Sequence, residues 1–476
     1  MGQSNPVVFN LNEYMNENQK VQNETAKTKL QSYSFKEVAS MVKEHFHEKY
    51  KDDGFSDDEK QKRQEIEHEA MLGDSQAETF LMNEINEFVR EEQIVDVSYP
   101  VFFESLTHAI FHEIYRFGVF YKWQTFPNSP SAFIQGKEIW FKVDGEPVKQ
   151  EEEFESDDYV DEIIRNLAAS NKGLKLNVDN PQEEVEMKDG TRVTIIINPR
   201  SLVKTIVFRR FTVQNFSFEK QASLGTIARE DLQLFKLLSR AQLNTVVAGK
   251  VESGKSTLLK TIYGERDPKK VAILIENKPE SYLKRDFPER LVHDFYTYGT
   301  DINDVMRIAL RVDHDYIIVQ EVRGFEAEGA IGGTERGAEG LLMTYHITNP
   351  EQTPIQLAQH IVDVYPNRVL KNEIRRIAKH LDLGMIMKTY KGNQKRVTAI
   401  YEICYSFEDD SAWINYLMWY NEKTGKWEYN ANISEQLKSR LYEGDEHIHD
   451  GILNHLEKRQ EQSSLSRTPI EPIYIK

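Results

Sequence analysis

The chain has 476 residues, too many for a single hydrophobic core, so two to four domains are expected. A net charge of −17 argues against a protein that grips a nucleic-acid backbone along its whole surface, and a lone cysteine, Cys404, excludes an internal disulfide or a cysteine-built metal site. With 39% hydrophobic and 29% charged residues the chain reads as a soluble protein of a reducing cytoplasm. No run approaches the ~20 apolar residues of a membrane span, and the first thirty residues lack the apolar core of a signal peptide, so at most peripheral membrane contact is expected.

In chain order, residues 1–33 show no sustained period and predict a flexible segment. Residues 34–125 predict a helical region. Val38, Met41, Val42 and Phe46 share one helical face, and Phe80, Leu81, Ile85, Phe88 and Val89 share another. The stretch Val101 to Trp123 is heavy in aromatics, which predicts a small helical domain burying those rings; a docking surface is the alternative. Residues 126–215 predict an α/β domain. Ile139, Phe141 and Val143 alternate into a turn at Asp144-Gly145, Ser156 caps a helix carrying Val160, Ile163, Ile164 and Leu167, and Asp189-Gly190 precedes two strand-like runs. Those strands carry Arg192, Arg209 and Arg210, which local pattern alone does not separate from solvated or salt-bridged arginines. Residues 216–222 read as a linker, 223–442 as a second α/β domain ending in a hairpin and helix, and 443–476 as a polar, mobile tail.

The second α/β domain is organised around Leu243 to Thr257. An apolar strand breaks at Gly249, and Lys250, Val251, Glu252 and Ser253 lead to Gly254-Lys255-Ser256-Thr257, where helical spacing begins. This is the phosphate-loop pattern G-x-x-x-x-G-K-[ST] in a strand–loop–helix setting. The chemistry requires these residue types. Two glycines let the backbone curl its N–H groups toward phosphates, and the helix start adds the positive end of its dipole. The pattern predicts that Lys255 would reach the β- and γ-phosphates of ATP and that the Ser256 hydroxyl would ligate Mg²⁺.

Hydrolysis also needs a polarised water. Glu321 ends the apolar run Tyr316 to Gln320 and is the first candidate for the base, with a second expected role in the metal shell. Glu276 ends another strand and Glu280 follows it by four residues, either being a candidate to hold the Mg²⁺ shell or help place water; His346, just past a third strand, is a candidate to sense the γ-phosphate. Arg307 and Arg311 lie one turn apart on a helix. Strands alternating with helices and ending in acids imply a parallel sheet with its site at the carboxyl edge.

Together these pieces resemble the secretion ATPases of the type II and type IV superfamily, closest to the branch serving tight-adherence pili and conjugative secretion. The segments Asp189 to Val193 and Ile206 to Phe211 resemble its two arginine-bearing strands. Ile275 to Glu280 resembles its acidic box, Ala309 to Gly324 its Walker B region, and Gly337 to His346 its histidine box. The resemblance implies a RecA-like P-loop motor domain preceded by a smaller α/β domain and an N-terminal helical region. It implies a cytoplasmic homohexamer that converts ATP and water to ADP and phosphate, with the nucleotide between the two α/β domains and inner-membrane components of a secretion or pilus machine as partners. Arg192, Arg209, Arg210, Arg307 and Arg311 are then candidates for γ-phosphate recognition within or across chains.

The sequence departs from the family pattern at four places. Asn277 replaces an Asp, Gln320 a Gly, Ala338 a first His, and Val251-Glu252 the usual small loop residues. The departures at Glu252, Asn277 and Ala338 keep open an ATP-gated assembly platform with little hydrolysis. A nucleic-acid translocase rests only on Lys388, Lys391, Lys395 and Arg396, a cluster more typical of a solvated face.

Overall fold

The computed structural model describes residues 33–51, 55–169, 176–210, 215–298, 302–467 and 473–475. The expected flexible N-terminal segment lies, save for Tyr33, outside them. The chain divides into two compact units, Met1–Thr212 and Val213–Lys476.

The first unit begins with helices α1 (Phe35–Lys51), α2 (Asp57–Leu72), α3 (Ser75–Glu91) and α4 (Leu106–Tyr115). Ser56 and Glu59 form a capping box at the start of α2, and Gly73 closes it in the left-handed conformation. Val38, Val42 and Phe46 meet Leu81, Ile85, Ile110 and Phe111 in a buried cluster. Strands β1 (Ser131–Gln135), β2 (Glu138–Val143), β3 (Glu146–Glu153), β4 (Gln182–Glu186), β5 (Arg192–Ile196) and β6 (Thr205–Arg209) form an antiparallel sheet in the order β3-β2-β1-β6-β5-β4. Helix α5 (Asp157–Ala169) covers it with Val160, Ile163, Ile164 and Leu167. Met71 of α2 and Phe117, Phe120 and Trp123 enter this same core. The helical region and the α/β domain, expected as separate pieces, are therefore one unit. The aromatic stretch supplies its core, since Phe111, Phe117, Phe120 and Trp123 are all buried.

The second unit is built on a mixed sheet. Its helices are α6 (Phe218–Ser223), α7 (Leu232–Arg240), α8 (Lys255–Glu265), α9 (Leu283–Asp286), α10 (Ile302–Ala309), α11 (Glu326–Glu335), α12 (Thr353–Val364), α13 (Leu370–His380), α14 (Glu435–Gly444) and α15 (Glu446–Gln462). Its strands are β7 (Thr245–Gly249), β8 (Ala272–Glu276), β9 (Val292–Tyr296), β10 (Tyr316–Val322), β11 (Leu342–Tyr345), β12 (Leu383–Thr389), β13 (Lys395–Ser406), β14 (Ser411–Asn421), β15 (Lys426–Tyr429) and β16 (Ile473–Tyr474). Six run parallel in the order β9-β8-β10-β11-β7-β12; β13, β14 and β15 continue antiparallel, and β16 pairs with β14. Strands β7 and β8 are buried along their whole length, as strands covered on both faces must be. This is the α/β, RecA-like arrangement expected of a phosphate-loop domain.

Two expectations, the linker and the mobile tail, are corrected. The linker at 216–222 is largely helix α6, whose Phe218 is buried against Phe235. Between them, the glycine-rich run Gly324 to Gly340 contains helix α11, which its glycines bring close to its neighbours: a Cβ on Gly329 would lie 2.5 Å from Ile302 Cδ1, and one on Gly333 2.8 Å from Ile317 Cδ1. The tail is not mobile throughout. Helix α15 packs on α7 with Ile452 and Leu456 buried, and Gly451 approaches Leu237 closely.

Polar contacts fix α15 as well. Asp231 is fully buried and accepts from Arg459 Nε at 2.9 Å; it also bonds His455 Nε2 at 3.1 Å and the Tyr429 hydroxyl. Removing a buried charge while leaving its partner costs about 3–5 kcal/mol. Asp231→Ala is expected to lower the urea midpoint of the second unit by the equivalent of about 3 kcal/mol, against about 1 kcal/mol for Tyr429→Phe, measured by circular dichroism.

Candidate functional site

The site lies where the parallel strands end. Strand β7 delivers Gly249 with φ 153°, and Gly254 starts α8 with φ 94°. A Cβ on Gly249 would stand 2.4 Å from the Met387 carbonyl oxygen of β12 and 2.5 Å from Ser253 Oγ, so no other residue fits there. The curled backbone leaves Ser253 buried with its hydroxyl unpartnered. Val251 and Glu252 are exposed, so the acid at position 252, with φ 61°, sits on the outside of the loop. Lys250 is exposed too, while Lys255 is buried and folds back, its Nζ donating to the Lys250 carbonyl at 2.8 Å. Burial pushes the Lys255 ammonium down to about 8, against the partial support of Glu321. Thr257 continues α8.

The Walker B strand carries an irregularity. The pairing of β10 with β11 shifts register between Val319 and Val322, and Glu321 takes φ +61°. A bulge of this kind re-aims the side chains around it. The backbone N–H that leaves the ladder donates to Thr344 Oγ1 at 2.7 Å. The bulge places Gln320 and Glu321 in different surroundings. Gln320 is buried, and its Nε2 donates to Ser256 Oγ at 2.7 Å. Glu321 Oε1 is bonded to His346 Nε2 at 3.1 Å and ion-paired with Arg323. Burial pushes the Glu321 carboxyl up, but the bonds from Arg323 and His346 outweigh it and hold the group below its ordinary value. It is a carboxylate at neutral pH. His346 also lines a cleft of about 620 Å³ together with Gly249, Lys250, Val251 and Asn349.

The remaining candidates divide. Glu276 is buried at the end of β8, its two oxygens accepting from the backbone N–H groups of Glu280 and Ser281 at 2.8 Å each. It shapes the turn that brings Glu280 close enough to hydrogen-bond Glu321. Arg192 and Arg209 stand directly opposite each other on β5 and β6, with Glu186 on the other side of Arg192. Arg210 differs from them. Its guanidinium donates to the carbonyls of Ser129, Trp123 and Phe126 and to Gln124 Oε1, and lies 4.1 Å from the Trp123 ring centre. Four of its five N–H donors are committed to its own unit, so it is a packing arginine and a poor candidate for reading a phosphate. Arg307 pairs with Asp304 on α10, and both Arg307 and Arg311 are exposed. Neither lines the cleft.

A family model described as Type II/IV secretion system protein matches residues 134–409, more than half of the chain. The chain belongs to that family. The type IV secretion system protein VirB11 of Brucella suis is 30% identical to this secretion-family member over 155 residues, 31% of this chain and 42% of that protein. An uncharacterized protein of Methanocaldococcus jannaschii is 29% identical over 206 residues, 42% of this chain and 36% of its own length. The chain thus spans less than half the length of these curated relatives. Among solved structures, the Legionella pneumophila ATPase DotB aligns over 78% of this chain and 95% of its own at 14% identity, with a TM-score of 0.45.

ATP fits the residues of this secretion-family member: a loop that admits no Cβ at Gly249, a buried unpartnered Ser253 hydroxyl, and a buried lysine short of an anion. Among the described residues no group of three or more His, Cys, Asp or Glu could hold a metal ion. A divalent cation here would depend on nucleotide phosphates with Ser256, as Mg²⁺ commonly does. Sequence reasoning gave no role to Arg323 or Thr344. The i, i+2 spacing of Glu321 and Arg323 along a strand was the available signal for the first; nothing local marks the second.

Lysine charge and phosphate binding are linked. A bound polyphosphate favours the ammonium form, so binding above pH 8 must take up a proton. Nucleotide affinity is expected to be full below about pH 8 and to fall as pH rises through it. Calorimetry at pH 8.5 in buffers of different ionisation enthalpy should register that uptake, and Lys255→Ala should abolish both it and tight binding.

Proposed function

We propose that the chain is an ATP-hydrolysing, hexameric motor of a type IV secretion, conjugation or pilus apparatus, working at the cytoplasmic face of a membrane. The observation that carries this reading is the Glu321 bulge. It sets an ionised carboxylate against His346 and Arg323, at the edge of a cleft shared with the phosphate loop. In this reading the loop N–H groups and Lys255 hold the polyphosphate, and Ser256 holds Mg²⁺. Mg²⁺ supplies charge neutralisation on the phosphates when bound. Glu321 orients and deprotonates the attacking water, with Glu280 beside it, while Arg323 and His346 keep Glu321 ionised and in place. His346 is then a positioning residue that also faces the γ-phosphate side of the cleft. The outward placement of Glu252 supports turnover over a hydrolysis-deficient platform, because the loop departure adds no charge to the cradle. The type IV secretion role is carried over from the name of the Brucella relative.

Ring assembly gives the exposed Arg209 and Arg307 a task. A head-to-tail ring repeats one interface around an axis and could bring such groups to a nucleotide.

Glu321→Gln is expected to leave ATP binding intact and cut hydrolysis by roughly 10²-fold or more; His346→Ala should lower kcat more than it weakens ATP binding. Equal hydrolysis by Glu321→Gln would move the base to Glu280. For assembly, activity per chain should rise with protein concentration as hexamers form in light scattering. Mixing Lys255→Ala with Arg209→Ala or Arg307→Ala chains should recover activity only if that arginine acts across the interface, an effect worth up to ~10³–10⁵ in rate in other phosphoryl-transfer enzymes. A monomer hydrolysing at full rate at tens of micromolar would refute the ring.

A further inference from the structure

The Gln320 amide is held in an unusual way. Its side chain is only 5% exposed. Nε2 donates to the Ser256 hydroxyl at 2.7 Å, whereas Oε1 is buried without any hydrogen-bond partner. A buried amide oxygen left unsatisfied costs about 1–3 kcal/mol, and native structures rarely keep one without a use. The bulge that re-aims Glu321 is the same one that turns this amide toward the phosphate loop.

The chemistry of the hydroxyl narrows that use. A serine oxygen has two lone pairs and one proton. Accepting from Gln320 occupies one lone pair and fixes the rotor, leaving the second lone pair to a metal ion. The bond therefore orients Ser256 without competing with coordination. An amide oxygen that can only accept, fixed beside a metal ligand, suits a hydrogen bond from a water on the ion, since Mg²⁺ keeps several of its waters. Resting on the nucleotide reading above, we propose that Gln320 is an outer-sphere positioning residue for the divalent cation. Its Nε2 presets the Ser256 hydroxyl and its Oε1 accepts from a metal-bound water. Glycine at this position can do neither, so this chain should bind the metal of its metal–nucleotide complex more tightly than a glycine-bearing version of itself.

The test measures metal binding apart from turnover. The full chain with bound ADP is titrated with Mn²⁺ and followed by electron paramagnetic resonance, while ADP affinity is measured separately in EDTA with a fluorescent analogue. Gln320→Met and Gln320→Gly are expected to weaken Mn²⁺ binding 10-fold or more, within the 10–100-fold range for losing an outer-shell partner, with metal-free ADP affinity unchanged. Gln320→Glu, which keeps an accepting oxygen, should retain wild-type Mn²⁺ affinity or exceed it. Unchanged Mn²⁺ binding in Gln320→Met would overturn the proposal. So would an equal loss of metal-free ADP affinity, which would make Gln320 a structural strut, or a Gln320→Glu chain as weak as Gln320→Met. A wild-type chain that binds no ADP under either condition would instead defeat the nucleotide reading itself.

Discussion

The active edge of the second unit depends on one backbone irregularity, the bulge of β10 at Gln320 and Glu321. Left-handed backbone is unfavourable for a residue with a side chain and persists only where its surroundings over-determine it. Here they do. The displaced N–H of Glu321 is caught by Thr344 on the next strand, Gln320 is tied to Ser256, and the Glu321 carboxylate is tied to His346 and Arg323. Three segments distant in sequence thus meet in one hydrogen-bonded arrangement. A regular strand would place Gln320 and Glu321 on opposite faces with one buried in the helix layer; the bulge serves both toward the carboxyl edge.

Close backbone approach is the second constraint. Gly249 lies against the Met387 carbonyl, and Gly384, on the same strand β12, lies under the Tyr401 ring, where a Cβ would fall 2.0 Å from Cζ. The Tyr401 hydroxyl in turn shares a hydrogen bond with Thr353 at the start of α12. The phosphate loop, β12, β13 and α12 are therefore coupled through contacts that tolerate no added atom. Interiors packed this tightly shift between discrete arrangements rather than deform smoothly.

Much of this was legible in the residues. The phosphate loop, the acid-ending strands and the arginine-bearing strands announced themselves by period and spacing, and Glu321 and His346 do come together. What escaped had physical reasons. Helix α11 is made of residues that disfavour helices, because its glycines serve packing against Ile302 and Ile317 rather than propensity. Strand β12 was hidden because it follows a helix after only Leu381 and Asp382. Helix α15 was legible, since Ile448, Ile452 and Leu456 repeat every four residues, yet the polar composition around them suggested a tail. Arg210 shows the limit of motif reasoning: it neighbours Arg209 in sequence but faces into its own unit, where it bonds three carbonyls. The bulge could not be foreseen, because the sequence Val-Gln-Glu-Val is an ordinary strand until Thr344 arrives from β11.

The electrostatics of the site follow from these placements. Lys255 is buried and held by a single carbonyl, so its charge is poorly compensated, whereas Glu321 is over-compensated by Arg323 and His346. A polyphosphate reverses both conditions. It supplies the anion that Lys255 lacks, and it repels the Glu321 carboxylate, whose ionised form must survive next to the phosphates if it is to take a proton from water. Two hydrogen-bond partners on one oxygen of Glu321, Arg323 and His346, are what preserve that form. The same pair therefore sets the strength of the base: every donor that stabilises the carboxylate also makes it a weaker proton acceptor.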